Sequence, residues 1–370
     1  MDSKQLYKAV FDNNEFYLPN RYKPVELIGS GSYGAVIDAK DLKLNSQSVA
    51  IKKIQNIVDE VDLKRVLREI KILKYMKHDN IVSLIDVIFV RNKNEVVKEK
   101  KKIGDIYLVT EKMDTDLYKI IKSNQELSDD HYKFIMYQIL RSILFLHSAG
   151  LIHRDIKPSN VLINEDCSIK LCDFGLSRSI STENNAGAGL TEYVVTRYYR
   201  APEVMLCSHD YSKSIDIWSA GCTFAELLSK NYLFPGENYL AQIKLIIELL
   251  GSPSYEDMAF ISNEPAKDYV AGFKNIPKKN FAKVIKYNNP NAIDLLEKMI
   301  TFNPNKRIVV EKALQHEYVQ SIKDEGVTDP VYTGKPINFD FDYNLKITKD
   351  ELLNLMLEEI KDFDSGLIDC

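Results

Sequence analysis

The rhythm of apolar and polar positions changes along this chain. From Tyr22 to about Met113 it is strand-like: VELIGSGSYGAVIDAKDL and QSVAIKKI are apolar, β-branched runs bounded by glycine or polar turns. One helix interrupts them. VDLKRVLREIKILKYM places Val66, Ile70, Leu73 and Tyr75 or Met76 at helical spacing, with Arg65, Arg68 and Glu69 on adjoining faces. After EKMDTDL the period becomes helical, beginning with SDDHYKFIMYQILRSILFLHSAG. There Ser128 is placed to cap, Asp129 and Asp130 suit the positive end of the first turn, and Gly150 ends the helix. A β-rich part followed by a larger helical part predicts an α+β, bilobal architecture with a hinge near residues 110 to 114, and ligands favour the cleft of such a fold. Near the end, Thr348 and Glu351 form a Thr-x-x-Glu capping box, followed by an apolar stripe of Leu353, Met356, Ile360 and Phe363. The polar face of this helix is acidic, which predicts docking on the protein body rather than on a membrane.

Composition narrows the function classes. At 370 residues and 45% hydrophobic, the chain has material for a large core and two lobes. Lys and Arg number 49 against 53 Asp and Glu, so no global field draws it to nucleic acid or membrane. Its five cysteines form no Cys-x-x-Cys pair and leave an odd count, the pattern of a reducing, intracellular compartment. Neither a secretory leader nor a membrane span is expected, because MDSKQLYKAVFDNNEF has no apolar core and no 18 apolar residues run together. Cys370 is the last residue and not fourth from the end, so no prenylation box is expected. RNKNEVVKEKKK, with six basic and two acidic residues, reads as a solvated hairpin loop without an assigned partner.

Candidate chemistry begins with GSGSYGAV. Gly29, Gly31 and Gly34 let backbone amides approach phosphates, but Gly-x-Gly-x-x-Gly alone also fits dinucleotide-binding proteins. A nicotinamide oxidoreductase needs strand, glycine turn and helix; here AVIDAKDL reads as the return strand of a hairpin, which favours a lid over ATP phosphates. VAIK then places Lys52 at the end of a strand, and Glu69, seventeen residues on, is suited to hold its ammonium in one geometry and keep it charged. HRDIKPSN supplies Asp155, Lys157 and Asn160, and DFG begins thirteen residues after Asn160, at Asp173. Phosphoryl transfer needs a carboxylate to orient the attacking hydroxyl, a cation on the γ-phosphate and hard oxygen ligands for Mg²⁺; these residues supply them in that order.

Together these motifs resemble the eukaryotic protein kinases over residues 22 to 318. The resemblance implies the kinase fold, with a small β-rich lobe carrying one regulatory helix, a larger helical lobe, and ATP in the cleft between them. It casts Asp155 as the catalytic aspartate, Asn160 and Asp173 as Mg²⁺ ligands, and Lys52 with Glu69 as the positioning pair. The ATP site it implies comprises Ile28, Gly29, Ser30, Gly31, Ser32, Tyr33, Gly34 and Val36 from the glycine loop, and Ala50 and Lys52 from the next strand. Thr110 as gatekeeper, Glu111, Met113, Asp116, Leu162 and Cys172 complete it. Lys157, and Thr196 ahead of RYYRAPE, match serine/threonine rather than tyrosine kinases. Asp216 in DIWSAGC resembles the residue that braces the catalytic loop, and Arg307 in NPNKRI the ion-pair partner of Glu203 in APE.

Within the kinases, Thr191-Glu192-Tyr193 between DFG and APE resembles the dual-phosphorylation lip of mitogen-activated protein kinases of the extracellular-signal-regulated type. Read alone, the two hydroxyls fit either a switch or an ordinary Gly-rich linker. By the resemblance they are activation sites, each gaining about 1.5 to 2 negative charges on phosphorylation. Arg68, Arg154 and Arg178, with Arg65 one turn away, match the phosphothreonine cage; Arg197 and Arg200 match the cations for phosphotyrosine and shape a pocket favouring proline after the acceptor. A phosphate on Arg68 would seat the neighbouring Glu69 against Lys52. LLGSPSYEDMAFISNEPAKDYVAGF, residues 249 to 273, resembles the family's helical insert.

Implied partners are an upstream dual-specificity kinase, protein substrates and phosphatases with basic-apolar docking peptides, and neither nucleic acid nor membrane. The chain is expected to act as a monomer in the cytoplasm, with the nucleus as a further compartment. Asp324 falls at one expected docking acid, Val327 replaces a second, Glu325 or Asp329 is a candidate substitute, and Glu165 and Asp166 stand at another docking position. A kinase-fold scaffold without turnover is the remaining alternative; it would be favoured by loss of Lys52, Asp155 or Asp173, all of which are present.

Overall fold

The computed structural model describes residues 5–31, 34–54, 57, 59–91, 104–180, 197–207, 212–323 and 328–369. It divides into two units, residues 1–113 with 337–370, and residues 114–336.

In chain order the first unit opens with a hairpin, β1 (Leu6–Phe11) and β2 (Asn14–Pro19), whose turn places Asp12 and Asn13 at positive φ. Then come β3 (Tyr22–Gly31), β4 (Gly34–Asp41), β5 (Gln47–Ile54), helix α1 (Glu60–Tyr75), β6 (Leu84–Arg91) and β7 (Asp105–Glu111). Asp59 caps α1 by accepting from the Asp62 amide. Val66, Ile70 and Leu73 are buried as the spacing predicts, and of the two alternatives for the last turn Met76 is buried while Tyr75 is exposed.

The second unit begins with β8 (Thr115–Asp116), α2 (Leu117–Lys122) and α3 (Asp129–Ser148). Ser128 caps α3 in a box closed by the His131 side chain, and Gly150 follows at φ +73°. The short strands β9 (Leu151–Ile152), β10 (Val161–Ile163), β11 (Ile169–Leu171) and β12 (Arg178–Ser179) come next. The rest is helical: α4 (Pro202–Leu206), α5 (Ser214–Ser229), α6 (Tyr239–Leu250), α7 (Glu264–Ala271), α8 (Phe281–Ile285), α9 (Pro290–Met299), α10 (Val310–Leu314) and α11 (Glu317–Gln320). α5 is buried along nearly its whole length, because its apolar residues pack on most sides and its one polar face, Asp216, Ser219, Thr223 and Glu226, is buried with hydrogen-bond partners. Gly221 lets it approach α9, since a Cβ there would stand 3.0 Å from Met299 Cβ and 2.9 Å from Ile300 Cδ1.

The chain then returns to the first unit as α12 (Asp340–Tyr343), α13 (Lys349–Ile360) and β13 (Gly366–Asp369). The Thr348–Glu351 capping box forms, but α13 buries Leu352, Met356 and Ile360, so Leu352 rather than Leu353 completes the inward stripe. β13 pairs in parallel with β6 and makes the sheet six-stranded, in the order β13-β6-β7-β5-β4-β3. The opening hairpin covers this sheet with Phe16 and Leu18, both fully buried among Tyr22, Ile37, Val49, Ile51 and Tyr107. Periodicity flagged neither the hairpin nor β13, because both are short and charged residues interrupt them.

Candidate active site

In the first unit, β3 and β4 form the antiparallel hairpin expected of the glycine loop, pairing Gly29 with Val36, Ser30 with Ala35 and Gly31 with Gly34. A register shift between Leu27 and Gly29 leaves Ile28 as the extra residue of a bulge. Gly34 lies at φ +135°, and a Cβ there would sit 1.8 Å from the Lys53 carbonyl oxygen, so only glycine fits. Ser32 and Tyr33 lie outside the described residues. β5 sets Ala50 against Thr110 and Lys52 against both Val36 and Leu108. From the strand, Lys52 Nζ donates to Glu69 Oε1 at 2.9 Å and Oε2 at 3.2 Å, with the glutamate nearly buried. Glu111 accepts from the Ser83 amide at 2.7 Å, and Met113, buried, ends the first of the unit's two chain stretches.

In the second unit the β10–β11 hairpin explains the thirteen-residue spacing. Val161 pairs with Leu171, so the hairpin's open end returns Cys172 to Asn160, where the Cys172 amide donates to the Asn160 carbonyl at 3.0 Å. Asp173 follows at once, at φ +63°, and Arg154, directly before Asp155, is at φ +70°, two left-handed non-glycine residues that flank the catalytic groups. Asn160 Nδ2 donates to Asp155 Oδ2 and to its carbonyl, both at 2.8 Å, which leaves Asn160 Oδ1 as the end offered to a cation. Lys157 Nζ donates to Asp155 Oδ2 at 2.8 Å. Burial pushes the Asp155 carboxyl above its ordinary value; Lys157 opposes the shift and the Asp173 charge adds to it. Asn160 and Asp173 are hard oxygen donors of the kind a divalent metal on phosphate takes. Leu162 pairs with Asp116, which caps α2.

Asp216 braces this loop from α5. Fully buried, it accepts from the amides of His153 and Arg154 and from His147 Nε2, all at 2.9 Å. Burial alone would raise its pKa, but these bonds outweigh that and hold it below the ordinary range. The expected Glu203–Arg307 pair also forms, bidentate at 2.6 and 3.0 Å and buried on both sides.

The predicted phosphate-binding arginines fall in three places. Arg178 pairs with Ile152 across β12 and β9, two residues from Arg154. Arg197 donates to the Glu237 carbonyl at 2.5 Å, and Arg200 bonds the Tyr239 hydroxyl. Arg65 and Arg68 lie on α1; Arg65 is 3.5 Å from Asp62, whereas Arg68 is fully buried and bound at 2.9 and 2.5 Å to Asp342. That partner was missed because nothing local in the sequence marks it. Thr191, Tyr193 and Thr196 lie outside the described residues, as do Asp324, Glu325 and Val327. Asp329 does not present a free docking acid: it takes bonds from Lys323 at 2.7 Å and Tyr137 at 2.8 Å, beside Arg141. Glu165 and Asp166 are exposed at the β10–β11 turn.

Residues 22–319 match the family model described as the protein kinase domain. The chain is 48% identical over 347 residues to extracellular signal-regulated kinase 1 of Dictyostelium discoideum, covering 93% of this chain and 64% of that longer protein. It is 44% identical over 341 residues to mitogen-activated protein kinase 3 of Arabidopsis thaliana, covering 92% and 87%. With mitogen-activated protein kinase 5 of Oryza sativa subsp. indica it shares 43% over 348 residues, covering 94% and 90%. The chain belongs to the mitogen-activated protein kinase family. Such a kinase is a serine/threonine protein kinase that uses ATP and a divalent metal. No described helix of this kinase is long and apolar enough to cross a membrane. Among the described residues, Cys167, Cys172, Cys207 and Cys222 form no disulfide.

Proposed function

We propose that this kinase transfers the γ-phosphate of magnesium ATP to serine or threonine followed by proline, and that phosphorylation of Thr191 and Tyr193 switches it on. The observation that carries the reading is the joining of Asp155, Lys157 and Asn160 in one hydrogen-bonded set, with Asp173 brought alongside by a hairpin. Asp155 accepts the acceptor hydroxyl's hydrogen bond and takes its proton as that oxygen bonds to phosphorus and the ADP oxygen leaves. Lys157 balances the charge at the γ-phosphate, and Lys52, kept charged by Glu69, holds the α- and β-phosphates. Magnesium, held by Asn160 and Asp173, would neutralise the phosphate oxygens.

Arg197 and Arg200 receive phosphotyrosine and shape the pocket after the acceptor, Thr196 serves serine/threonine transfer, and Arg154 and Arg178 receive phosphothreonine together with Arg68. Because Asp342 already neutralises Arg68, the phosphate has to share that guanidinium or displace the carboxylate. We assign residues 22–318 to catalysis, 1–21 and 319–370 to extensions, and Glu165 and Asp166 to basic docking peptides of activators, substrates and phosphatases. Transfer to a Ser-Pro peptide that is lost on replacing proline by alanine supports the acceptor class; equal transfer to both peptides contradicts it.

A further inference from the structure

The exposed-looking basic stripe of α1 is covered by the chain's own C-terminal segment. Lys64 Nζ donates to the Asn344 carbonyl at 2.9 Å, and Arg68 binds Asp342. Lys71 Nζ stands 3.1 Å from Glu359 Oε1, Lys74 Nζ 2.9 Å from Asp362 Oδ2, and Tyr75 donates to Glu359 Oε2 at 2.9 Å. At about 100° per residue, these side chains fall on the side of the helix away from Glu69. The cover therefore presses on the back of α1 while Glu69 reaches Lys52 from the front.

The same segment is anchored to the sheet. Ser365 donates from its hydroxyl to Asp86 Oδ2 at 2.6 Å on β6, a carboxylate fully buried with Arg21 at 3.0 Å and the Tyr22 hydroxyl at 2.7 Å. β13 then pairs residue by residue with β6, from Gly366 opposite Ile88 to Asp369 opposite Arg91. One continuous segment thus grips both the helix that carries Glu69 and the sheet that carries Lys52. The distance between those two residues is set by how α1 stands against the sheet, and this segment fastens each to the other.

We propose that residues 337–369 form a brace for the Lys52–Glu69 pair, with Glu359 as a positioning residue for phosphoryl transfer. This rests on the assignment of Lys52 and Glu69 to nucleotide positioning. Glu359 is suited to the task because one carboxylate serves Lys71, Lys74 and Tyr75 together. Burial would raise its pKa, but the two lysines and the tyrosine hold it below the ordinary glutamate value, so it stays charged at neutral pH.

The test uses the full chain and its Glu359→Gln variant, acylated briefly with an amine-reactive ester and digested, with Lys52 and Lys157 quantified by mass spectrometry. The brace predicts at least threefold faster labelling of Lys52 with Lys157 unchanged, and reversal of the effect in the double variant Glu359→Lys with Lys71→Glu. It also predicts a severalfold lower kcat at unchanged protein-substrate KM. Ser365→Ala, at the sheet end, is the second variant and should expose Lys52 in the same way. Unchanged Lys52 labelling in the folded variants would overturn the brace. An inactive parent would instead count against the kinase assignment, while the labelling still decides the brace.

Discussion

Asp155 meets three demands through its own neighbours. Asn160 fixes its orientation, Lys157 compensates its charge, and burial raises its proton affinity. A raised carboxyl must lose its proton before it can accept one, so the acid limb of kcat/KM is predicted to lie above the ordinary aspartate value of ~3.9. A pH-rate profile with full activity down to that value would contradict this. Asp155→Asn is expected to abolish transfer while leaving ATP binding largely intact, because it removes the hydroxyl-orienting carboxylate and no phosphate contact; undiminished turnover would contradict the role. At this scale much was legible, since HRDIKPSN and DFG carry chemistry in residue type and spacing alone. Arg68 was not: its partner Asp342 is 274 residues away and sits among several similar acids.

Elements turn those residues into geometry. The β10–β11 hairpin converts sequence spacing into contact between Asn160 and Cys172, and the β3–β4 hairpin needs a residue without Cβ at Gly34. Gly34→Ala is predicted to cost more than ~1 kcal/mol, since native φ and the Lys53 carbonyl both exclude a methyl group. Denaturant unfolding of the variant, with a midpoint equal to the parent's, would contradict that. At α13, the pKa of Glu359 is depressed in the folded state. Its contribution to stability is therefore complete above the unfolded value of ~4.3 and is lost as pH falls through the lower folded value. Hydrogen exchange in α1 should rise over that acid range in the parent and much less in Glu359→Gln. Helices were easier to read than the sheet's last strand: caps and stripes are local signals, whereas four residues such as Gly366–Asp369 become a strand only because β6 offers an edge.

For the whole molecule, the sequence's division into a β-rich and a helical part anticipated the two units, but not that residues 337–370 rejoin the first. Periodicity is blind to such returns, because the energy lies in contacts between distant segments. The second unit has a comparable long-range tie in Glu203–Arg307, 104 residues apart and buried. Arg307→Ala leaves a buried carboxylate without its cation and is predicted to cost about 3–5 kcal/mol, measured by chemical denaturation. A loss below ~1 kcal/mol would show that the pair contributes little to stability. Proline direction and the switch at the lip are read out together by phosphate transfer from magnesium ATP to a Ser-Pro or Thr-Pro peptide. Transfer is measured before and after a dual-specificity activator modifies Thr191 and Tyr193, with intact mass confirming both sites. A large rise is expected only when both are modified; equal activity in both states would contradict the switch, and no transfer in either would contradict the kinase assignment itself.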